Sequence, residues 1–266
     1  MLKRERLMML LDMVNRNGIV TVKDLIDQLD VSDMTIRRDL DELSDSGKLI
    51  RIHGGAQSLA SSDATELSHV EKKEIHLEQK ERIAQRAAKM ISAGDTIYIG
   101  PGTTQELIVQ YVDDVANLRV VTNSLPVFES WQSKNVDLIL VGGTFRERSG
   151  AFIGGLASDT LGDLKFTKSF VGVNGIHNES MMTANTEEGS AQAVATSNSM
   201  SKIVLADCYK INRDDFYQFY NLYDMDYLIT NDELSGETLA HYRQYTKVVL
   251  AEDKTSGKSP NSGLKA

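Results

Sequence analysis

Apolar positions in the first fifty residues recur at helical spacing in three short blocks. Leu7, Leu10, Leu11 and Val14 form the first stripe, which Asn17-Gly18 ends. After the β-prone link Ile19–Val22, a second helix is predicted over Val22 to Leu29, with Leu25, Ile26 and Leu29 facing inward. Val31, Ile36, Leu40 and Leu43 form the third stripe, with Ser32 as N-cap and Gly47 as its stop. Asp30-Val31 supplies the tight turn between the second and third blocks, the pattern of a helix-turn-helix with a preceding support helix. The period then changes to two over Lys48–His53, and Gly54-Gly55 turns that strand into a hairpin that reads as a wing.

The third helix leaves Met34, Thr35, Arg37 and Arg38 around the exposed side of its first turns. That suits a recognition helix, whose N-terminal side chains reach base edges in the major groove. Arginine is the commonest reader of guanine, and threonine contacts a thymine methyl or a phosphate. An ordinary surface helix with a chance arginine pair is the plain alternative. In the wing, Arg51 and His53 are placed for phosphates or the minor groove, and His53 reads equally well as a hydrogen-bonded turn residue.

Gln57 to Glu74 is rich in Ser, Asp and Glu and has little apolar periodicity, so it is expected to be an exposed linker. From Ile75 a helix carries Ile83, Ala84, Ala87, Ala88 and Ile91 on one face and is expected to end near Ala93-Gly94. Short apolar runs then alternate with helical segments at Thr96–Ile99, Val120–Thr122, Leu138–Val141, Ser169–Val173, Ile203–Ala206, Tyr227–Thr230 and Val248–Leu250. This alternation predicts an α/β domain with a largely parallel sheet. Ligands of such sheets bind beyond the carboxyl ends of the strands.

Small and polar residues fall at those ends. Gly100-Pro101-Gly102-Thr103-Thr104 follows the first run and opens a helix, where backbone N–H groups and threonine hydroxyls suit a phosphate. It is neither a P-loop nor a dinucleotide fingerprint, and a merely steric glycine turn is the alternative. Asn123-Ser124, Gly142-Gly143 and Asn174-Gly175 follow the next three runs. Glu187-Glu188 begins a helix, and Asp207 and Lys210 follow the fifth run. A carboxylate accepts sugar hydroxyls and a lysine pairs with phosphate; a solvated face or a helix cap is the plainer reading of each. Met181-Met182 is expected to be packing and Trp131 a partly buried helix residue.

Composition narrows the class. At 266 residues, 41% hydrophobic and 25% charged, the chain fits a globular protein of a small and a medium domain. A net charge of −9 excludes a chain basic throughout, yet the first sixty residues are near charge balance, so local placement of cations decides DNA binding. The lone Cys208 excludes an intramolecular disulfide, fits a reducing cytosol and is expected to be buried in the sheet. Asp12 interrupts the early apolar run, and no stretch approaches membrane-spanning length, so a soluble cytoplasmic protein without a membrane partner is expected. The five histidines are scattered without metal-ligand spacing, and no nucleophile elbow is present.

The run V-S-D-M-T-I-R-R-D-L-D-E-L, followed by G-K-L-I-R-I-H-G-G-A, resembles the N-terminal signature of DeoR-type bacterial transcriptional repressors. G-P-G-T-T, T-N-S, V-G-G, G-V-N-G-I and E-E-G then resemble the sensor domain of that family in its order. The resemblance implies a winged helix-turn-helix followed by an α/β, ribose-5-phosphate isomerase-like sensor with a mostly parallel sheet. It implies DNA contacts at Ser32, Thr35, Arg37, Arg38, Arg51 and His53, and a phosphorylated sugar as inducer, with no cofactor. Two positions depart from the family pattern: Tyr209 stands where Ser is usual, and Gln192 where Lys is common. V-S-D-M-T, G-P-G-T-T, N-S-L-P-V and S-N-S-M most resemble the subgroup that governs lactose phosphotransferase systems of Gram-positive bacteria, which implies tagatose 6-phosphate as inducer.

The expected organisation is a DNA-binding domain over 1–56, a linker over 57–74, a sugar-phosphate sensor over 75–252 and a disordered tail over 253–266. The expected function is repression of a sugar operon by a homo-oligomer, a dimer or tetramer, on double-stranded operator DNA. Three alternatives stand beside it: a sugar-phosphate isomerase-like enzyme carrying a DNA module, a repressor of another operon such as one for fructose, and a DNA-binding activator in place of a repressor. Asn174 stands against the enzyme, since such an isomerase wants an acidic group there.

Overall fold

A computed structural model describes residues 2–17, 19–46, 48–52, 54–58 and 66–252. The chain divides into two compact units, 1–77 and 78–266. The tail expected to be disordered and His53 lie outside the described residues.

The first unit follows the apolar pattern closely. Helix α1 (Lys3–Asn17), strand β1 (Ile19–Thr21), α2 (Val22–Leu29) and α3 (Asp33–Asp45) precede strands β2 (Leu49–Ile52) and β3 (Gly55–Ser58). Leu10, Val14, Leu25, Ile36, Leu40 and Leu49 bury together as its core. Thr21 caps α2 in a reciprocal box with Asp24, and Asp30 ends that helix in the left-handed region at φ 50°. The three strands pair antiparallel in the order β1-β3-β2. Gly54 turns the chain at φ +77°, and a side chain on Gly55 would fall 2.0 Å from the Val20 carbonyl oxygen. Val31 is only half-buried, although it packs against the core.

The stretch expected to be linker is not uniformly irregular. Gln57 and Ser58 complete β3, and α4 (His69–Lys73) follows a Ser68–Glu71 capping box. The local S-x-x-E signal outweighs the polar composition there. Leu67 packs on the helical core, Glu71 lies 3.7 Å from Lys48, and Glu74 lies 3.4 Å from Arg4.

In the second unit, α5 covers Leu77–Ala88 and is shorter at both ends than its periodicity suggests. His76 sits at φ 54°, which no helix accepts, so Ile75 is buried ahead of the helix. At the other end Met90 and Ile91 donate three residues back, which closes the last turn. There follow β4 (Thr96–Ile99), α6 (Thr103–Leu107), β5 (Arg119–Thr122), α7 (Leu125–Trp131), β6 (Asp137–Leu140), β7 (Thr144–Arg146) and β8 (Ala151–Ile153). Then come α8 (Gly155–Asp163), β9 (Phe166–Gly172), β10 (Gly175–His177), β11 (Ser180–Thr183), α9 (Thr186–Ser197) and β12 (Ser199–Leu205). The unit ends with β13 (Tyr217–Asn221), β14 (Tyr227–Asn231), α10 (Gly236–Tyr242) and β15 (Lys247–Ala251).

All seven expected runs enter one sheet, ordered β15-β14-β12-β9-β4-β5-β6, and every pairing in it is parallel. Two apolar layers cover its faces, one around Tyr98, Val171, Ala191 and Val204, the other around Ile97, Ile99, Phe170 and Trp131. Trp131 is fully buried, not partly so, because α7 turns it into the second layer. The β7–β8 hairpin and the small antiparallel sheet β10-β11-β13 have no counterpart in the sequence expectation. Their strands are only three to five residues long, too short for an alternation to register. From β4 the order runs to β5 and β6 on one side and to β9, β12, β14 and β15 on the other. The order therefore reverses between β4 and β9, where such folds open a crevice at the carboxyl edge. Among the described residues no helix is long and apolar enough to cross a membrane.

Candidate functional site

Helix α3, the candidate recognition helix, is set by its own cap. Ser32 Oγ accepts from the Thr35 N–H at 3.4 Å and lies 2.9 Å from Thr35 Oγ1. On the inner side Asp39 is buried and paired with Arg6 of α1, whose Nη2 lies 3.3 Å from Asp39 Oδ1. This brace between α1 and α3 carries no apolar periodicity, so the sequence pattern does not reveal it.

The exposed side holds Met34, 61% exposed, together with Arg37 and Arg38. Their circumstances differ. Arg38 is exposed and makes no ion pair among the described residues. Arg37 clasps Asp33 one turn earlier through contacts of 2.6 and 3.1 Å. That hydrogen-bonded pair holds the guanidinium pKa above its ordinary value and the Asp33 carboxyl below its own. Arg51, expected to face phosphates, is tied between Asp41 of α3, at 2.8 Å, and the Gly55 carbonyl. It fastens the wing to the helix.

In the second unit the turns after β4, β5, β6, β9 and β12 share one edge, since the strands are parallel. Buried polar side chains concentrate there. Thr103, Thr104, Asn123, Ser124, Glu188 and Asp207 are all buried, as are Gln105 and Gln192. The Tyr98 phenol donates to Asn123 Oδ1 at 2.8 Å, and Asn123 Nδ2 donates to the Phe152 carbonyl at 2.7 Å. Burial, reinforced by the charge of nearby Glu188, pushes the Tyr98 pKa far up, so the phenol keeps its proton. Ser124 caps α7, accepting from the Val127 N–H at 3.4 Å. Glu188 lies 3.3 Å from Arg146 Nη1, and Asn185 caps its helix at 2.9 Å. Tyr98, Asn123, Glu188 and Arg146 thus form one polar group beside the Gly100 turn.

Other expected residues serve the framework. A side chain on Gly102 would fall 2.2 Å from Gln105 Oε1, and one on Gly143 would fall 2.6 Å from the Ile153 carbonyl oxygen. Gly142 is exposed, with open space around it. The Asn174 N–H donates to the Met182 carbonyl at 2.9 Å. Gly175 begins β10 and lies against the backbone of Arg213. Asp207 accepts from the Tyr209 N–H at 3.1 Å, and Lys210 donates to the Val173 carbonyl at 2.6 Å, over the end of β9. The expected helix after Gly102 is only Thr103–Leu107, continued by a tighter turn, so its dipole adds little for an anion.

Arg146 was not a sequence candidate, because β7 was not foreseen. Cys208 is half-buried in the turn Cys208–Lys210 just past β12, not within the sheet. Burial, with the charges of Asp207 and Glu233, pushes its thiol up to about 11. Among the described residues no three His, Cys, Asp or Glu side chains gather as a metal site. A shallow groove of about 450 Å³ lies at the opposite, amino edge of the sheet, lined by Thr96, Phe166, Ser199 and Met200.

Residues 6–62 match the DeoR-like helix-turn-helix domain, and residues 75–232 match the DeoR C-terminal sensor domain. The lactose phosphotransferase system repressor of Lactococcus lactis is 43% identical over 94% of this chain and 99% of its own length. The repressor of the same name from Streptococcus mutans is 38% identical over 94% of this chain and all of its own. A ribose 5-phosphate isomerase A from Methanocaldococcus jannaschii is similar in structure over 51% of this chain and 55% of its own, at 14% identity and a TM-score of 0.38. That likeness is too distant to bear on function. With both units matched in order and relatives aligned end to end, the chain belongs to the DeoR family of DNA-binding transcriptional repressors.

Proposed function

We propose that the protein represses a lactose and galactose operon of the tagatose 6-phosphate pathway, and leaves its operator when a phosphorylated sugar occupies the carboxyl edge of the sheet. Tagatose 6-phosphate is the leading candidate. The observation that carries the reading is the end-to-end similarity to repressors named for the lactose phosphotransferase system. The buried polar group at the strand-order reversal supports a ligand there.

In this reading Ser32, Met34, Thr35, Arg37 and Arg38 meet the major groove, with Arg51 and His53 at the wing. Arg38 reaches a base edge or phosphate directly, while Arg37 exchanges Asp33 for one. Two or more copies place their α3 helices about 34–36 Å apart on the half-sites. In the sensor, the turn from Gly100 to Thr104 and Asn123-Ser124 approach the ligand, with Gly142-Gly143 and Asn174-Gly175 at its flanks. Thr103, Thr104, Arg146 and Lys210 supply donors for the phosphate, and Glu188 and Asp207 accept sugar hydroxyls. Release needs the effector to favour a sensor conformation unsuited to the half-site spacing. A tenfold loss of operator affinity requires a coupling of only about 1.4 kcal/mol.

A gel-shift titration on DNA upstream of the gene's own neighbourhood tests this at fixed salt. Tagatose 6-phosphate, fructose phosphates and the unphosphorylated sugars serve as competitors. Release by tagatose 6-phosphate at concentrations where the free sugar does nothing is the expected result. Release by a fructose phosphate alone reassigns the operon, and the lack of any specific complex removes the DNA reading.

A further inference from the structure

Two buried carboxamides flank the point where the strand order reverses: Gln192, which departs from the family's common Lys, and Gln105, which the sequence pattern does not single out. Gln105, on α6, and Gln192, on α9, are each 2% exposed. Gln105 Nε2 and Gln192 Oε1 have no hydrogen-bond partner among the described residues. A buried polar atom normally has one, since leaving it unpaired costs the whole of its desolvation.

Their positions are fixed by the glycines they touch. A side chain on Gly100, just past β4, would fall 3.1 Å from Gln192 Oε1. One on Gly172, the last residue of β9, would fall 2.8 Å from Gln105 Nε2. The Gly100 N–H donates to the Phe170 carbonyl, so these two strand ends are adjacent. Gln192 arrives with the apolar layer of Tyr98 and Ala191, and Gln105 with the layer of Leu107 and Ile108 on the other face. One carboxamide from each face therefore brackets the strand-order reversal between β4 and β9, Gln105 with an unpartnered donor and Gln192 with an unpartnered acceptor among the described residues.

We infer that Gln105 and Gln192 read hydroxyl groups of the effector's sugar. The inference rests on the sugar-phosphate reading of this cleft. A hydroxyl both donates and accepts, which matches a neutral donor and acceptor pair; a phosphate needs cations and donors alone. The pair thus acts on the sugar part and leaves the phosphate to Thr103, Thr104, Arg146 and Lys210. Because both atoms are closed off from solvent, the effector gains these bonds only as the carboxamides turn toward it. This ties sugar recognition to a change in the sensor.

The test uses the full chain and the substitutions Gln105→Met and Gln192→Met, which keep side-chain length and remove the polar group. Calorimetric titration with tagatose 6-phosphate, fructose 6-phosphate and inorganic phosphate is paired with thermal melting. Each variant should bind the sugar phosphate about tenfold more weakly, the worth of one hydrogen bond, with inorganic phosphate unaffected. Its melting temperature should be unchanged or higher, since an unpaired buried dipole is gone; a purely structural glutamine would instead lose stability. Wild-type affinity for the sugar phosphates in both variants overturns the role of the pair while leaving the cleft intact. A wild-type protein that binds none of the sugar phosphates overturns the cleft reading itself.

Discussion

On α3, Arg37 and Arg38 are neighbours in sequence and unequal in circumstance. The carboxylate of Asp33, one helical turn before Arg37, holds that guanidinium in a two-contact clasp, while Arg38 points out from the helix without an ion pair among the described residues. Breaking a solvent-exposed clasp costs little, but it offsets part of any DNA contact Arg37 gains. Arg38→Ala is therefore expected to weaken specific operator binding by about 1–3 kcal/mol, and Arg37→Ala by less. Anisotropy titrations on one labelled operator at one salt concentration measure both. Operator affinity within twofold of wild type for Arg38→Ala would remove α3 as the reader. The arginines were legible in the sequence; the clasp was only implicit, because an i, i+4 carboxylate can equally point to solvent.

At the scale of elements, two ties hold the units in shape. The wing depends on Gly55, where β3 passes so close to Val20 that a methyl group has no space. Gly55→Ala should destabilise the first unit by about 1–3 kcal/mol, seen as a lower melting temperature and weaker DNA binding together. In the sensor, Asp95 joins the starts of β4 and β9. Burial alone would raise its pKa, but Lys168, the Ser92 N–H and the Thr167 hydroxyl outweigh that and hold it below the usual carboxylate value. A folded pKa below the unfolded one, near about 3.9, adds stability at higher pH that is lost as the pH falls through the folded value. Asp95→Asn should thus cost about 1–3 kcal/mol at neutral pH. Its deficit against wild type should shrink in urea unfolding at strongly acidic pH; an equal deficit at both would exclude the charge as the cause. Gly54-Gly55 was legible as a turn, whereas Asp95 and Thr167 are 72 residues apart and meet only once the sheet forms.

For the whole molecule, charge sets the terms of DNA binding. A chain of net charge −9 meets a polyanion through a few cations on one small unit, so counterion release must supply much of the affinity. If an oligomer neutralises six to ten phosphates, raising salt from 50 to 200 mM should reduce operator affinity by roughly 10³–10⁵-fold. A flat salt response would contradict that footprint.

The sequence by itself determined the three helices of the reader, their cap, the wing's turn and the seven strands, because local periodicity and capping chemistry act within a few residues. It also placed glycines and small polar residues at the strand ends, since those turns follow directly from the runs before them. Only the tertiary structure decided the strand order, and with it the reversal between β4 and β9 that gathers turns from distant parts of the chain. It likewise decided which polar groups end up partnered: Arg51 on Asp41, Arg146 on Glu188, and, among the described residues, Gln105 and Gln192 left with an open bond each. Pairing between residues ten or more positions apart depends on packing in three dimensions, and no local pattern along one chain encodes it.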